Sequence, residues 1–587
     1  MCRIYGISVS GPTDQPTLSV RGVRDMFPFA LGRSAAIAFR AVIWTAFALS
    51  LSGCVGVKDY VCNGFKVGPN YCPPLGETAE QWIEDADGRL RQDVADLSCW
   101  WGVFQDPVLE GLIANAQVHN LSLREAGYRV LQARAQLGIA RGGLFPQSQY
   151  ASGSYRRSGT PVGPRSPITA EIGPGNLIPE GEYTFELQSE NNFVNQWNDG
   201  FSLGWELDFW GRYRREVAAS THALEASTAG YDEVLVTMLA DIAATYVQIR
   251  TLQTRIEFVQ QNIAEQRKIV EIIQRLHEIG DPRPERRLEQ PRQYHVEQIQ
   301  SILAQTESAV PQLQIELRLA CNRLCVLLGI PPRDVLEEIG LGAIPSAPRE
   351  VAVGIPADLL RRRPDVRRAE RQVAAQAEQI GIAMAEFFPS ITISGTLGYS
   401  SPEFDQLFNA SRAFNSDVGP AFHWNILNYG RIQNNVRVQD AHFRELLTNY
   451  QNLVLQANAE VESGLVRFLR AQERAVALDR SVKHMQRAVA GIEAARELRG
   501  ADANQISIIT QTKVQQQDLQ AQAHGEVAQG LIQVYRALGG GWEVRTIFSE
   551  VLPSEPSESE APAAEPAAPP EEVLPPPANP VPSPADL

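Results

Sequence analysis

The side chains from which nucleophilic or metal chemistry could be built are seven cysteines, at 2, 54, 62, 72, 99, 321 and 325, and eight histidines, at 119, 222, 277, 295, 423, 442, 484 and 524. Neither set has a spacing that chemistry requires. A zinc protease presents HExxH, and a thiol redox centre or zinc ribbon presents CxxC; the sequence contains neither. Cys321 and Cys325 stand one helical turn apart in an apolar stretch and read as small buried hydrophobes. Gly539-Gly540-Gly541 lacks the strand–GxxxxGK–helix setting that cradles phosphate, and Phe387, Phe388 and Trp424 read as packing rather than substrate clamps. No catalytic residue, metal ligand or bound cofactor emerges. A net charge of -15 without a compensating basic block argues against nucleic acid as a partner.

The remaining thiol with a distinctive setting is Cys54. Arg33 and Arg40 precede AVIWTAFALSLSG (41–53), an apolar run too short to span a bilayer comfortably but suited to a secretory signal. Residues 1–53 are therefore expected to be a signal region, and a start at Met26 would give it ordinary length. Leu51-Ser52-Gly53-Cys54 resembles the lipobox of bacterial lipoproteins. That resemblance implies cleavage before Cys54 and its modification by S-diacylglycerol and N-palmitoyl groups, with Val55 standing where an inner-membrane retention signal would have Asp.

Beyond the leader, no segment offers 18 uninterrupted apolar residues, so any membrane crossing must be made by β-strands, whose backbone groups pair with one another. The chain also repeats itself. GIARGGLFPQSQYASGSY (138–155) returns as GIAMAEFFPSITISGTLGY (381–399), and LGWELDFWGRYRREV (203–217) returns as AFHWNILNYGRIQNNV (421–436). Each half reads as helix, strand pair, then long helix pair. Leu109, Leu112, Ile113, Ala116, Leu123, Ala126 and Val130 keep helical spacing in the first. Pro146 and Pro389 stop the leading helices, and alternation such as Ile391, Ile393 and Gly395 against Thr392, Ser394 and Thr396 marks half-exposed strands. Two turn-rich loops, about 158–192 and 401–415, separate the strands of each pair. The returning strands end in aromatic clusters, Trp197, Trp205, Phe209 and Trp210 in one half and Phe422, Trp424 and Tyr429 in the other, as expected of girdles at a membrane interface.

Long amphipathic helices follow, over 212–278 and 431–499. At ~1.5 Å per residue they reach roughly 100 Å, far more than a compact domain needs. They turn near Gly280-Asp281 and Gly500-Ala501-Asp502, with return helices at about 294–329 and 503–538. The expected organisation is an acylated N-terminal extension and equatorial packing segment (54–106), a first repeat (107–330), a linker lying across the middle of the long helices (331–363), a second repeat (364–548) and a disordered Pro/Glu-rich tail (549–587).

The fold class is thus α+β, a membrane protein with four strands per chain. Four strands cannot enclose a lumen, and an open sheet edge is not tolerated in lipid. Pooling strands from three copies gives a twelve-stranded barrel, continued by a hollow helical cylinder with apolar seams and a polar lumen.

FKVGPNYCPP (65–74), CWWGVFQDPVLEGLIANAQVHN (99–120), RVLQARAQLGIARGGLFP (129–146), VGIPADLLRRRPDVRRAE (353–370), AEQIGIAMAEFFPSI (377–391) and QVYRALGGGWE (533–543) resemble the outer membrane factor (TolC-like) family, in its NodT-type lipoprotein branch that serves resistance-nodulation-division efflux pumps. The resemblance implies a homotrimer in the cell outer membrane, a periplasmic helical tunnel, a membrane-fusion adaptor and an inner-membrane transporter as partners, and passive conduction of small molecules such as drugs, toxic compounds or metabolites. It also implies a constriction at the helix turns lined by acidic residues. Here Asp281 and Asp502 are the gate candidates, while Asn504 stands where the family commonly has Asp, and the first turn, DPRPERRLEQPRQ, departs from the family pattern. A type I protein-secretion duct is the nearest alternative, and a non-conducting structural lipoprotein or adhesin is the alternative of a different class.

Overall fold

The computed structural model describes residues 57–74, 79, 81–91, 93, 96–159, 168–172, 181–185, 193–279, 293–354, 362–499 and 503–545. Cys54, Asp281 and Asp502 lie outside them, as do the leader and the C-terminal tail; Asn504 falls within a helix, but its side chain also lies outside. The elements named below all belong to the unit that ends at Trp542.

After a short helix α1 (Val57–Cys62) and strand β1 (Leu90–Arg91), the first repeat begins with α2 (Pro107–His119). Asp106 caps it by accepting from the amides of Val108 and Leu109, and Pro107 occupies the first turn, where a missing amide costs nothing. Asn120 ends α2 and starts α3 (Leu121–Gly142): its side chain accepts from Leu123 N and donates to Leu327 O. Leu109, Ile113, Ala116, Leu123 and Ala126 are buried, so the helical stripe in the sequence is the packed face. Strands β2 (Ser148–Gly159), β3 (Ile168–Ile172), β4 (Gly181–Phe185) and β5 (Phe193–Leu207) follow, then the long helix α4 (Arg212–Ile279) and its return α5 (Gln293–Leu327).

Helix α6 (Leu336–Ile339) and strand β6 (Val351–Ala352) lie in the linker. The second repeat is α7 (Pro364–Ala385), β7 (Ser390–Ser401), β8 (Phe414–His423), the long helix α8 (Arg431–Arg499) and its return α9 (Ala503–Ala537).

Four strands form one antiparallel sheet in the order β2-β5-β7-β8, so the seam between the repeats is the β5–β7 pair, with Trp205 opposite Ile393. The first of the two turn-rich loops is partly strand. It carries the β3–β4 hairpin, Ile168 opposite Phe185 and Ile172 opposite Gly181, with Gly173-Pro174-Gly175 falling in the sequence between the strands. Prolines and glycines there punctuate a hairpin of two five-residue strands, too short for alternation to stand out.

The helices form a long bundle. Helix α4, at 68 residues, is ~100 Å long. Its middle carries a dense apolar core, with Leu239, Ile242, Ala243, Tyr246, Val247 and Ile249 fully buried. A window of α4 has mean hydropathy 1.2, but 67% of it is buried inside the chain, which marks a core helix. Helix α8 buries Val454, Ala457, Val461, Leu465 and Phe468 along one flank. The linker crosses the long helices near their middles: Arg250 donates to the carbonyls of Ile339 and Gly340, and Gln472 to those of Pro348 and Arg349. Strands β1 and β6 pair in parallel beside this crossing, and Trp82 donates to Gly354 O.

Where α4 leaves the sheet, Arg215 is fully buried. Its guanidinium pairs with Glu378 of α7 at 2.6 Å and donates to the carbonyls of Val67 (2.7 Å) and Gly68 (3.0 Å). Gly381 lets this happen: a Cβ there would lie 2.3 Å from Arg215 Nε. One side chain thereby ties the N-terminal extension, the first repeat and the second. Replacing Glu378 with Gln leaves the buried guanidinium without its counter-charge, and the expected loss is about 3–5 kcal/mol. The joint change Arg215→Met with Glu378→Leu should cost less than the single one, as read from denaturation midpoints of the purified protein in detergent.

Candidate conduit wall and its aromatic bands

The sheet carries two aromatic bands, one at each end of its strands. The sequence placed Trp197 with the other aromatics at the ends of the returning strands; the structure puts it at the opposite end of β5. There Trp197 packs on Tyr155 (centroids 4.3 Å apart) and on Phe404 (4.9 Å), while Tyr399 packs on Phe414 (5.8 Å). At the helix end lie Trp205, Phe209, Trp210, Phe422, Trp424 and Tyr429. Trp197 and Trp205 are eight residues apart on one strand, or roughly 26 Å at ~3.3 Å per residue.

The helix-end band has a structural role of its own. Trp205 Nε1 donates to Leu144 O at 3.3 Å, and Trp424 Nε1 donates to Phe387 O at 2.9 Å. Both acceptors lie just past the ends of α3 and α7, where helix carbonyls lack intrahelical partners. The two bonds are repeats of each other. Trp210 stacks on Phe388 (4.5 Å) and donates to Pro389 O (2.7 Å), joining the repeats, with Phe209 edge-on against it. Its counterpart in the second repeat, Tyr429, meets no such neighbour; it is 96% exposed, with φ +50. Phe422 is exposed as well.

Away from the sheet, the contact between α4 and α9 is polar. Arg255 pairs with Asp518 (2.6 Å), Asn262 donates to Gln517 Oε1 (2.8 Å), and Lys513 pairs with Glu265. The seams expected to pack apolar side chains thus also hold polar pairs here, beside buried Leu252 and Val259 of α4 and Ala521 and Ala528 of α9. Asn262 and Gln517 are buried, so their amides pair with each other rather than with water.

At the waist, Tyr246 donates to Asp106 Oδ2 (2.6 Å) and accepts from Arg250 Nε (2.9 Å). Trp100 stacks on Tyr535 (5.4 Å) under the Gly539–Gly541 turn, where a Cβ on Gly541 would meet Trp100 Nε1 at 3.3 Å. The triple glycine serves close packing. Arg363, in the PADLLRRRPDV segment, bridges Asp365 (2.8 Å) and Glu460 (2.7 Å) and donates to Ala537 O. Sequence reading singled out that segment but not its charge, and it missed Arg215 and Tyr246, whose signal is a polar residue on an otherwise apolar helical face. Cys321 and Cys325 are buried and free, as read. Among the described residues no group of three or more His, Cys, Asp or Glu side chains is placed to hold a metal ion.

A four-stranded antiparallel sheet continued by a bundle of such length, with aromatic bands at both ends of the strands, defines a membrane conduit subunit. The family model for outer membrane efflux proteins matches residues 112–322 and 355–540, one stretch per repeat, and the chain belongs to that family. It is an outer-membrane channel component of efflux or secretion systems, with its helical part in the periplasm. Nodulation protein T of Rhizobium leguminosarum bv. trifolii is 29% identical over 445 residues, covering 75% of this chain and 84% of the relative. The pyoverdine export outer membrane protein OpmQ of Pseudomonas putida is 27% identical over 448 residues, covering 76% and 88%. The solved structure of the outer-membrane channel OprN superposes with TM-score 0.70 at 27% identity, covering 81% of this chain and 99% of that one.

The waist gives a pH test. Burial, and then donation to Asp106, pushes the Tyr246 hydroxyl up to about 12. A raised phenol contributes stability that is complete below pH ~10 and is lost as pH rises through the folded value. Melting temperature should therefore fall between pH 10 and about 12, and Tyr246→Phe should flatten part of that fall while lowering stability at neutral pH.

Proposed function

We propose that three copies of this chain close their sheets into one twelve-stranded barrel, through which small molecules pass passively from the periplasm to the exterior. The observation that carries this reading is the open sheet: β2 and β8 are edges of a four-stranded sheet, and among the described residues no further strand pairs with either. Four strands leave two rows of backbone donors and acceptors unpaired, a state that lipid does not tolerate. Closure with copies removes both edges, and twelve strands give a lumen where eight would be filled by side chains.

Trp197, Trp205, Phe209, Trp210, Phe422, Trp424 and Tyr429 then form the two interfacial girdles. Separated by roughly 26 Å along strands tilted ~35–45°, the bands stand about 20 Å apart along the membrane normal, on the scale of the ~25 Å apolar band of such barrels. Trp205, Trp210 and Trp424 also fasten the barrel to the helices. Cys54 carries the lipid, S-diacylglycerol and N-palmitoyl, as an anchor beside the barrel. The helix turns holding Asp281, Asp502 and Asn504 form the periplasmic constriction, where a carboxylate ring would favour cations.

The far end of the helical tube docks a membrane-fusion adaptor bound to a resistance-nodulation-division transporter, which supplies the energy. Small-molecule cargo, rather than secreted protein, is favoured by the relatives' names, one of which specifies pyoverdine export. The six-segment organisation expected from the sequence fits this assembly, with the linker and N-terminal extension as a belt around its waist.

Purified protein reconstituted into planar bilayers should give discrete conductance steps. A protein that assembles and inserts yet never conducts would favour the structural-lipoprotein alternative. Cys54→Ser should abolish labelling by radioactive palmitate while leaving barrel assembly intact, and persistent labelling would remove the anchor from Cys54.

A further inference from the structure

In each repeat the return helix meets, end to end, the helix that precedes the strands. Helix α5 meets α3 through Asn120, which donates to Leu327 O, and α9 meets α7 through Arg363, which donates to Ala537 O. A glycine with positive φ follows each return helix, Gly329 (70) and Gly539 (71). The two junctions are built alike, but their charge differs. At the second stand Arg363 at the start of α7, Arg467 on α8 and Arg536, the penultimate residue of α9. Counted from the same helix ends, the first junction has Asn120, Gln248 and Val326.

A cavity of about 580 Å³ lies at the second junction, bounded by α4, α8, α9 and the start of α7. That is the size of pockets that hold small molecules, about 300–1,000 Å³. Its floor is apolar and buried: Val236 and Ala240 of α4, Ile532 and Ala537 of α9. Its rim is charged, and its four carboxylates are all engaged. Arg363 holds Asp365 and Glu460, Arg368 holds Glu233 (3.0 Å), and Asp241 faces both Arg323 (3.7 Å) and Arg536 (3.8 Å).

Guanidinium donors are left over. Arg467 donates to the neutral amide oxygen of Gln533 (2.9 Å) and forms no ion pair among the described residues. Arg536 stands too far from Asp241 to hydrogen-bond to it. Gln533 and Arg536 are one turn apart on α9, so both arginines can reach a single anion. Both are exposed and free to swing over the cavity. At ~100° per residue, Asp241 and Arg467 lie about 180° and 140° around their helices from Arg250 and Gln472, which hold the linker. The cavity therefore opens away from that belt.

We propose that this cavity binds a small organic carboxylate, its apolar body on the floor and its charge held by Arg467 and Arg536, as a site for anionic cargo on the conduit wall. A planar carboxylate matches the guanidinium fork. The proposal rests on the conduit reading in one respect, that the face turned from the belt is the lumen.

The test titrates 2-naphthoate into the full-length protein in detergent by calorimetry, with uncharged 2-naphthalenemethanol beside it. Naphthoate should bind saturably and the alcohol should not. Arg467→Gln and Arg536→Gln should each weaken binding by about tenfold, and Arg467→Lys should recover part of the loss. Unchanged melting temperatures separate lost binding from lost fold. In planar bilayers, naphthoate should lower the conductance of the parent protein and not that of Arg467→Gln.

No saturable binding to a protein that conducts overturns the site and leaves the conduit reading standing. Equal binding of acid and alcohol, or by parent and glutamine variants, overturns the anion assignment. Arginine-dependent binding that leaves conductance unchanged overturns the lumen placement. The same binding in a protein that never conducts overturns the conduit reading and supports the anion pocket.

Discussion

Everything in this molecule answers to one constraint: in lipid, backbone amides and carbonyls must find partners within the protein. The chain makes four strands, pairs them β2-β5-β7-β8, and so leaves two strand edges unanswered. A soluble protein would blunt such edges with charge, proline or a covering helix. Here β2 is exposed along its whole length and β8 nearly so, and nothing among the described residues covers either edge. The backbone alone thus leaves both edges in need of partners, before any side chain is considered.

Duplication supplies that covering cheaply in sequence terms. Once one seam, β5 against β7 and α4 against α7, was made within the chain, the same geometry could close the ring between chains. The positions that the repeat makes equivalent to this seam differ from it in chemistry. The seam within the chain holds the fully buried Arg215–Glu378 pair, whereas the equivalent positions are Asn434 and Ala135. A buried ion pair suits surfaces that are never apart, since separating them would strand a charge. Neutral and aromatic groups suit surfaces that each copy must expose to water before assembly.

Much of this architecture is legible in the sequence because its signals are long. Proline-free runs over 212–278 and 431–499 became helices Arg212–Ile279 and Arg431–Arg499, and Phe145-Pro146 and Phe388-Pro389 stand at the helix-to-strand corners. What was not legible was short or non-local. The β3–β4 hairpin has five residues per strand, too few for period-two patterning to rise above its glycines and prolines. Trp197 was grouped with Trp205 by residue type, although eight residues of extended chain carry it to the other end of the sheet. The pairing of Arg215 with Glu378 spans 163 positions, and no local pattern marks it. The anchor and the acidic gate candidates fall outside the described residues, so their assignment rests on resemblance and motif.

The polar contact between α4 and α9 has a physical logic that an apolar seam would not supply. Helices of 68 and 35 residues, with apolar residues every three or four positions, can slide by a heptad and still bury a similar surface. Packing alone therefore specifies their register weakly. The amide pair Asn262–Gln517 and the ion pair Arg255–Asp518 specify it strongly, because any slip leaves buried donors and acceptors unmatched. The chain thus separates two tasks along its length. Apolar side chains around Leu239–Ile249 give cohesion at the waist, where the linker also holds the helices. Polar side chains farther along α4 give alignment, where no crossing segment is present among the described residues to supply it.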